Sequence, residues 1–108
     1  MQHVNIAEPE QNSVFTNAND LIALCYEQDA GCMLLYAHHL PPEFFDLSSR
    51  VAGEILQKLS NYRVKAAIIM EKDTKTSTLF PQLAGEMNKS GAIRFFETRE
   101  EALAWLKE

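Results

Sequence analysis

The chain has 108 residues, 46% of them hydrophobic and 23% charged, and a net charge of -5. That length fits one domain and exceeds the ~70–80 residues below which a core needs covalent or metal staples. The acidic balance, with no run of Lys and Arg, argues against nucleic acid and against an anionic membrane surface as partners. No apolar run approaches the ~20 residues of a membrane helix, and the N-terminus MQHVNIAEPEQ lacks the basic flank and apolar stretch of a signal peptide. The two cysteines, Cys25 and Cys32, make no disulfide framework. A cytoplasmic location with reduced thiols is the expectation.

Residues 1–16 hold a short strand, His3 to Ala7, then a polar turn and a stub at Val14-Phe15, a layout that predicts a β-hairpin. Asn17 with Asp20 three residues on forms a capping-box pattern, and Leu21, Ile22, Leu24 and Cys25 give the helix that follows an apolar face. Gly31 is expected to stop it. The continuous apolar run Cys32 to Ala37 has the length and pattern of a strand covered on both faces.

The stretch Pro41 to Arg63 organises the chain. A stiff Pro-Pro entry leads to Phe44, Phe45 and Asp46, then to Ser48 and Ser49, and a helix begins at or just after those hydroxyls. Val51, Ala52, Ile55, Leu56 and Leu59 share one face of it, the strongest periodic signal present. Val64 to Met70 reads as a second buried strand. Ser77 or Thr76 is the expected cap of a third helix carrying Phe80, Leu83, Ala84 and Met87, with Pro81 confined to its first turn and Ser90-Gly91 at its end. Ala92 to Phe96 reads as a further strand. Thr98 with Glu101 then opens a last helix with Ala102, Leu103 and Leu106 inward and Trp105 off that stripe. Strands alternating with helices predict βαβ units and a largely parallel sheet of four or five strands with about four helices.

Chemistry-bearing motifs are sparse. His38 and His39, with Glu43 and Asp46 nearby, match no histidine metal motif, and adjacent residues on a strand point to opposite sides. They do fall at the carboxyl end of a parallel strand, where ligands of open α/β sheets collect. Cys25 and Cys32 have neither redox nor zinc spacing and read as core residues. There is no GxSxG elbow and no Gly-rich phosphate loop. No metal and no cofactor is expected. Ser48 and Ser49 read first as helix caps and second as a phosphate or phosphorylation site. Tyr62 and Arg63, after the central helix, make a turn whose residue types also suit an interface.

The segments FFDL (Phe44 to Leu47), AGEILQK (Ala52 to Lys58) and NYR (Asn61 to Arg63), with the closing FF-x-T-x-x-EAL-x-WL, resemble the bacterial domain-of-unknown-function family DUF4180 from about Asn17 to Lys107. More distantly, Phe44-Phe45-Asp46-Leu47-Ser48-Ser49 echoes STAS domains, the anti-sigma-factor antagonist type, in which one serine is phosphorylated. That resemblance implies a STAS-like α/β fold. In register, Arg50 stands where the modified serine would be.

The leading functional expectation is a non-catalytic regulatory or protein-interaction module, homodimeric, with a protein partner. One alternative is a small-molecule or lipid site at the strand carboxyl ends, walled by Phe44, Phe45 and Tyr62 and anchored by His38, His39 and Arg63. A second is an acid/base enzyme using Asp46 or Glu43 with His38 or His39. The candidate site residues are therefore His38, His39, Glu43, Phe44, Phe45, Asp46, Ser48, Ser49, Arg50, Tyr62 and Arg63.

Overall fold

The computed structural model describes residues 5–71, 73–89 and 91–108. Four strands, β1 (Ile6–Ala7), β2 (Cys32–Tyr36), β3 (Lys65–Ile69) and β4 (Ile93–Phe96), form one sheet in the spatial order β1-β2-β3-β4. Every neighbouring pair is parallel. Helices α1 (Ala18–Glu27), α2 (Val51–Asn61) and α3 (Phe80–Lys89) fill the three crossovers, and α4 (Arg99–Leu106) follows the last strand. This is the expected α/β architecture.

Strand alternation divides the core in two. Met33, Leu35, Ala66, Ile68, Ile93 and Phe95 point toward α1, α2 and α3, where they meet Leu21, Ile55, Leu59 and Phe80. Right-handed crossovers between successive neighbours place all three helices on that one face. The other face, Cys32, Leu34, Ala67 and Ile69, is covered by α4 through Ala102, Trp105 and Leu106. Both sides of the sheet are thus buried, which is why β2 and β3 are almost uninterruptedly apolar.

Local signals account for most boundaries. Asn17 caps α1 by accepting from the Asp20 amide at 3.1 Å. Thr98 caps α4 through the Glu101 amide at 3.3 Å. Pro81 is the second residue of α3, where its missing N–H costs nothing.

Four expectations need correction. No hairpin forms among the described residues. β1 pairs in parallel with β2, Val14 is exposed, and the Phe15 amide donates to the His39 carbonyl at 2.8 Å; His3 and Val4 lie outside the described residues. Gly31 does not stop α1. The chain turns at Asp29, whose φ of 51° is left-handed, a conformation Asp tolerates better than most residues. Ser77 does not cap α3, because its hydroxyl accepts from the Leu47 amide at 3.1 Å instead. Trp105 does not lie off the inward face of α4. It is 8% exposed, with the Lys65 ammonium 4.6 Å from its ring centroid and the Arg94 guanidinium at 5.1 Å.

Both sheet edges are closed by a side-chain amide. Asn88 of α3 accepts from the Phe95 amide at 2.7 Å and donates to its carbonyl at 3.2 Å, doing for β4 what a fifth strand would do. Gln28 makes the same pair of contacts with the Glu8 backbone just beyond β1, at 3.4 and 3.5 Å. Such plugs discourage edge-to-edge pairing. Among the described residues no helix is long and apolar enough to cross a membrane.

Candidate functional site

The residues singled out in sequence fall in three separate places. The first is the entry to α2, where residues 41–50 run as short 3-10 turns. Phe44 and Phe45 are buried there and pack with Phe80, their ring centroids 5.1 to 5.8 Å apart. They are core, so they form no pocket wall. Asp46 accepts from the Ser48 amide at 3.1 Å and the Ser48 hydroxyl at 2.7 Å, a local Asx-type turn. The Ser49 hydroxyl donates toward the Glu43 and Asp46 carbonyls and accepts from the Val51 amide at 3.2 Å. Ser49 therefore ties the turn together and satisfies the first amide of α2 from one residue before the N-cap, while Ser48 serves Asp46. Arg50 holds φ 65° at the helix N-cap and supplies no side-chain cap. Glu43 is exposed.

The second place is the far end of α2. Tyr62 and Arg63 are exposed there, Arg63 with φ 58°, and they lead into the amino end of β3. With Tyr26 of α1 they border a small groove of about 110 Å³.

The third place is the carboxyl edge of the sheet, and it brings distant residues together. β1 delivers Glu8, β2 ends at Tyr36 and turns through Ala37–His39, and α4 begins with Arg99. Glu8, Pro9, Gln11, Tyr36, His38, His39 and Arg99 line a cavity of about 490 Å³. That size is within the ~300–1,000 Å³ range of small-molecule sites.

The two histidines divide the work. His39 is 1% exposed. Its Nδ1 accepts from the Tyr36 amide at 3.0 Å, so its Nε2 carries the hydrogen and donates to the Glu10 carbonyl at 3.1 Å. Burial, reinforced by neighbouring His38, holds its pKa below the ordinary 6.5, against smaller upward effects of the Glu10 carbonyl and Glu8. His38 is exposed and donates Nε2–H to the Gln11 carbonyl at 2.7 Å. Its ring lies nearly parallel to Tyr36, at 5.5 Å and 19°. Its Nδ1 has no hydrogen-bond partner among the described residues.

Across the cavity, Arg99 grips Glu8 with both terminal nitrogens: one contacts Glu8 Oε1 closely and lies 3.4 Å from the Tyr36 hydroxyl, and the other reaches Oε2 at 3.0 Å. That hydrogen bond lowers the Glu8 pKa and raises that of Arg99. The arrangement is the fork-to-fork geometry by which arginine reads a planar carboxylate. Among the described residues no group of three or more His, Cys, Asp or Glu is placed to hold a metal. Burial pushes both free thiols, Cys25 and Cys32, up.

Glu8, Tyr36 and Arg99 are absent from the sequence-derived set, though one of them leaves a trace. Arg99 occupies the first position of a helix, where the dipole favours acids and where Glu100 and Glu101 follow. A cation in that place is a sign that its charge is used elsewhere.

Among known proteins, neither a search of curated proteins nor one of solved structures returned a match. The family described as a domain of unknown function, DUF4180, matches residues 2–106, further toward the N-terminus than the segments that carry the resemblance in sequence. The chain belongs to the DUF4180 family.

Proposed function

We propose that this domain is a non-catalytic binding module that takes a small molecule at the carboxyl edge of its sheet. The cavity bounded by Glu8, Tyr36, His38 and Arg99 is the observation that carries this reading. Ligands of open parallel sheets settle at the carboxyl ends of the strands because loops and helix starts converge there. Here they supply a cation, an anion, a phenol and an imidazole from three separate segments.

Acid/base catalysis has less support. Asp46 is committed to Ser48, and both ring nitrogens of His39 are committed to backbone groups. A cytoplasmic role fits the two free buried thiols. Thermal unfolding of the wild type and Arg99→Ala against a panel of small acids, amines and nucleotides tests the binding reading. The expected result is a stabilising ligand whose effect disappears in Arg99→Ala. A flat response across the panel would contradict it.

A protein-interaction role has its own observation. Tyr26 and Tyr62 are 74% and 51% exposed beside Arg63, residue types enriched where interfaces concentrate their energy. A self-associating chain would place this patch at its two-fold seam. Light scattering on wild type and Tyr26→Ser/Tyr62→Ser decides that point: a dimer that becomes a monomer supports the seam, and an unchanged mass sinks it.

A further inference from the structure

We propose that Glu8 is an internal stand-in, and that the ligand of the carboxyl-edge cavity is a carboxylate on a flat, largely apolar body that displaces it from Arg99. This rests on the binding reading above and names its ligand class. Arg99 donates from its two terminal nitrogens to the two oxygens of the Glu8 carboxylate, so the site already holds the chemical group it is shaped to recognise. The Tyr36 hydroxyl lies at 3.4 Å from the same guanidinium and supplies another polar contact at the rim.

The rest of the wall suits a flat body. Tyr36 and His38 stack nearly parallel, and Pro9 is apolar. His38 offers an unpartnered Nδ1 to a polar substituent.

Displacement of Glu8 is physically cheap. The Arg99 and Glu8 side chains are 44% and 38% exposed, so the pair gains little over its hydrated, separated state. Glu8 lies one residue past the two-residue strand β1, and its backbone is held apart from its carboxylate by Gln28. The side chain can swing out to water while the main chain stays in place. An incoming carboxylate then inherits a guanidinium already fixed at the first turn of α4.

The competition predicts an unusual sign. Removing an acidic residue that lines the site should strengthen binding, because the internal competitor is gone. Calorimetric titration of the full chain with benzoate, with benzamide and inorganic phosphate as comparisons, tests this. Glu8→Gln is expected to bind benzoate about two- to fivefold more tightly than wild type, the factor an exposed ion pair is worth. Arg99→Lys keeps the charge but loses the fork, and should weaken binding about tenfold. Benzamide should not bind.

Equal affinity in wild type and Glu8→Gln would overturn the stand-in role. Phosphate binding as well as benzoate, or no saturable benzoate binding in a cooperatively folded Glu8→Gln, would overturn the carboxylate class. In either case an Arg99-dependent ligand of other chemistry would leave the binding reading intact. If Glu8→Gln does not fold, wild-type benzoate affinity in Arg99→Lys would overturn the proposal by itself.

Discussion

The entry to α2 and the carboxyl-edge cluster are built from similar chemistry, each with at least one carboxylate, an arginine, a hydroxyl and aromatic rings, yet they are opposite in kind. In the entry, the Asp46, Ser48 and Ser49 side chains find their partners within two to six residues. Asp46 holds Ser48, Ser49 holds the turn and the first amide of the helix, and the phenylalanines go inward. In the cluster, partners are far apart in the chain: 91 residues separate Glu8 from Arg99, 63 separate Tyr36 from Arg99, and 27 separate Gln11 from His38. A motif concentrated in sequence uses up its own polar groups. A cluster assembled by topology leaves a cavity among them.

The largest expected effect belongs to the entry. Phe44→Ala removes a fully buried ring from the Phe44–Phe45–Phe80 cluster and should cost about 3–5 kcal/mol in denaturant unfolding. A loss below about 1 kcal/mol would mean that the entry is a surface after all. For the same reason Phe44→Ala is unsuited as a probe of partner binding.

The two histidines give the next contrast. His39→Ala strands the Tyr36 amide and the Glu10 carbonyl and leaves a void, so about 2–4 kcal/mol of stability should go. His38→Ala should cost less than about 1 kcal/mol, since His38 is exposed and makes a single hydrogen bond. The pair also differs in pH dependence. Protonated Nδ1 of His39 would face the Tyr36 N–H donor to donor in a buried position, so the fold excludes a proton that the unfolded chain binds. Stability from this group is complete above about pH 6.5 and declines as pH falls below that value. Urea midpoints between pH 7.5 and 5.5 should show this slope in wild type and a reduced one in His39→Gln.

Smaller effects sharpen the division. Ser49→Ala loses the hydrogen bonds that tie the turn to the first amide of α2 and should cost about 0.5–1.5 kcal/mol, whereas Ser48→Ala should stay near the bottom of that range. Arg99→Ala should change stability by less than about 1 kcal/mol, because its ion pair is half-exposed. A much larger loss would make Glu8–Arg99 a structural staple and deprive the cavity of its displaceable group.

What was legible in sequence follows the same line between local and distant. Asn17 and Thr98 announced their helices because a cap acts within three residues, and Ala52, Ile55, Leu56 and Leu59 announced the face of α2 through periodicity. The hairpin failed because Ile6–Ala7 pairs across an intervening helix with Cys32–Met33, a partner local pattern does not reveal. Trp105 was misplaced because both faces of the sheet are covered, and the stripe of α4 is set by Lys65, Arg94 and Phe96 beneath it. His38 and His39 were found from their strand-end position, and their different duties were not, since those depend on Gln11 and Glu10 arriving from the first loop. Tyr62 and Arg63 drew notice by residue type and lie at the opposite edge from the cluster.

Two-dimensional amide spectra of the labelled protein during a benzoate titration address the central claim most directly. Shifts confined to Glu8, Tyr36, His38 and Arg99, with the Arg99 Nε–H moving along with them, are the predicted result. Shifts centred on Tyr26 and Tyr62, or on the Asp46–Arg50 turn with the carboxyl edge silent, would contradict it.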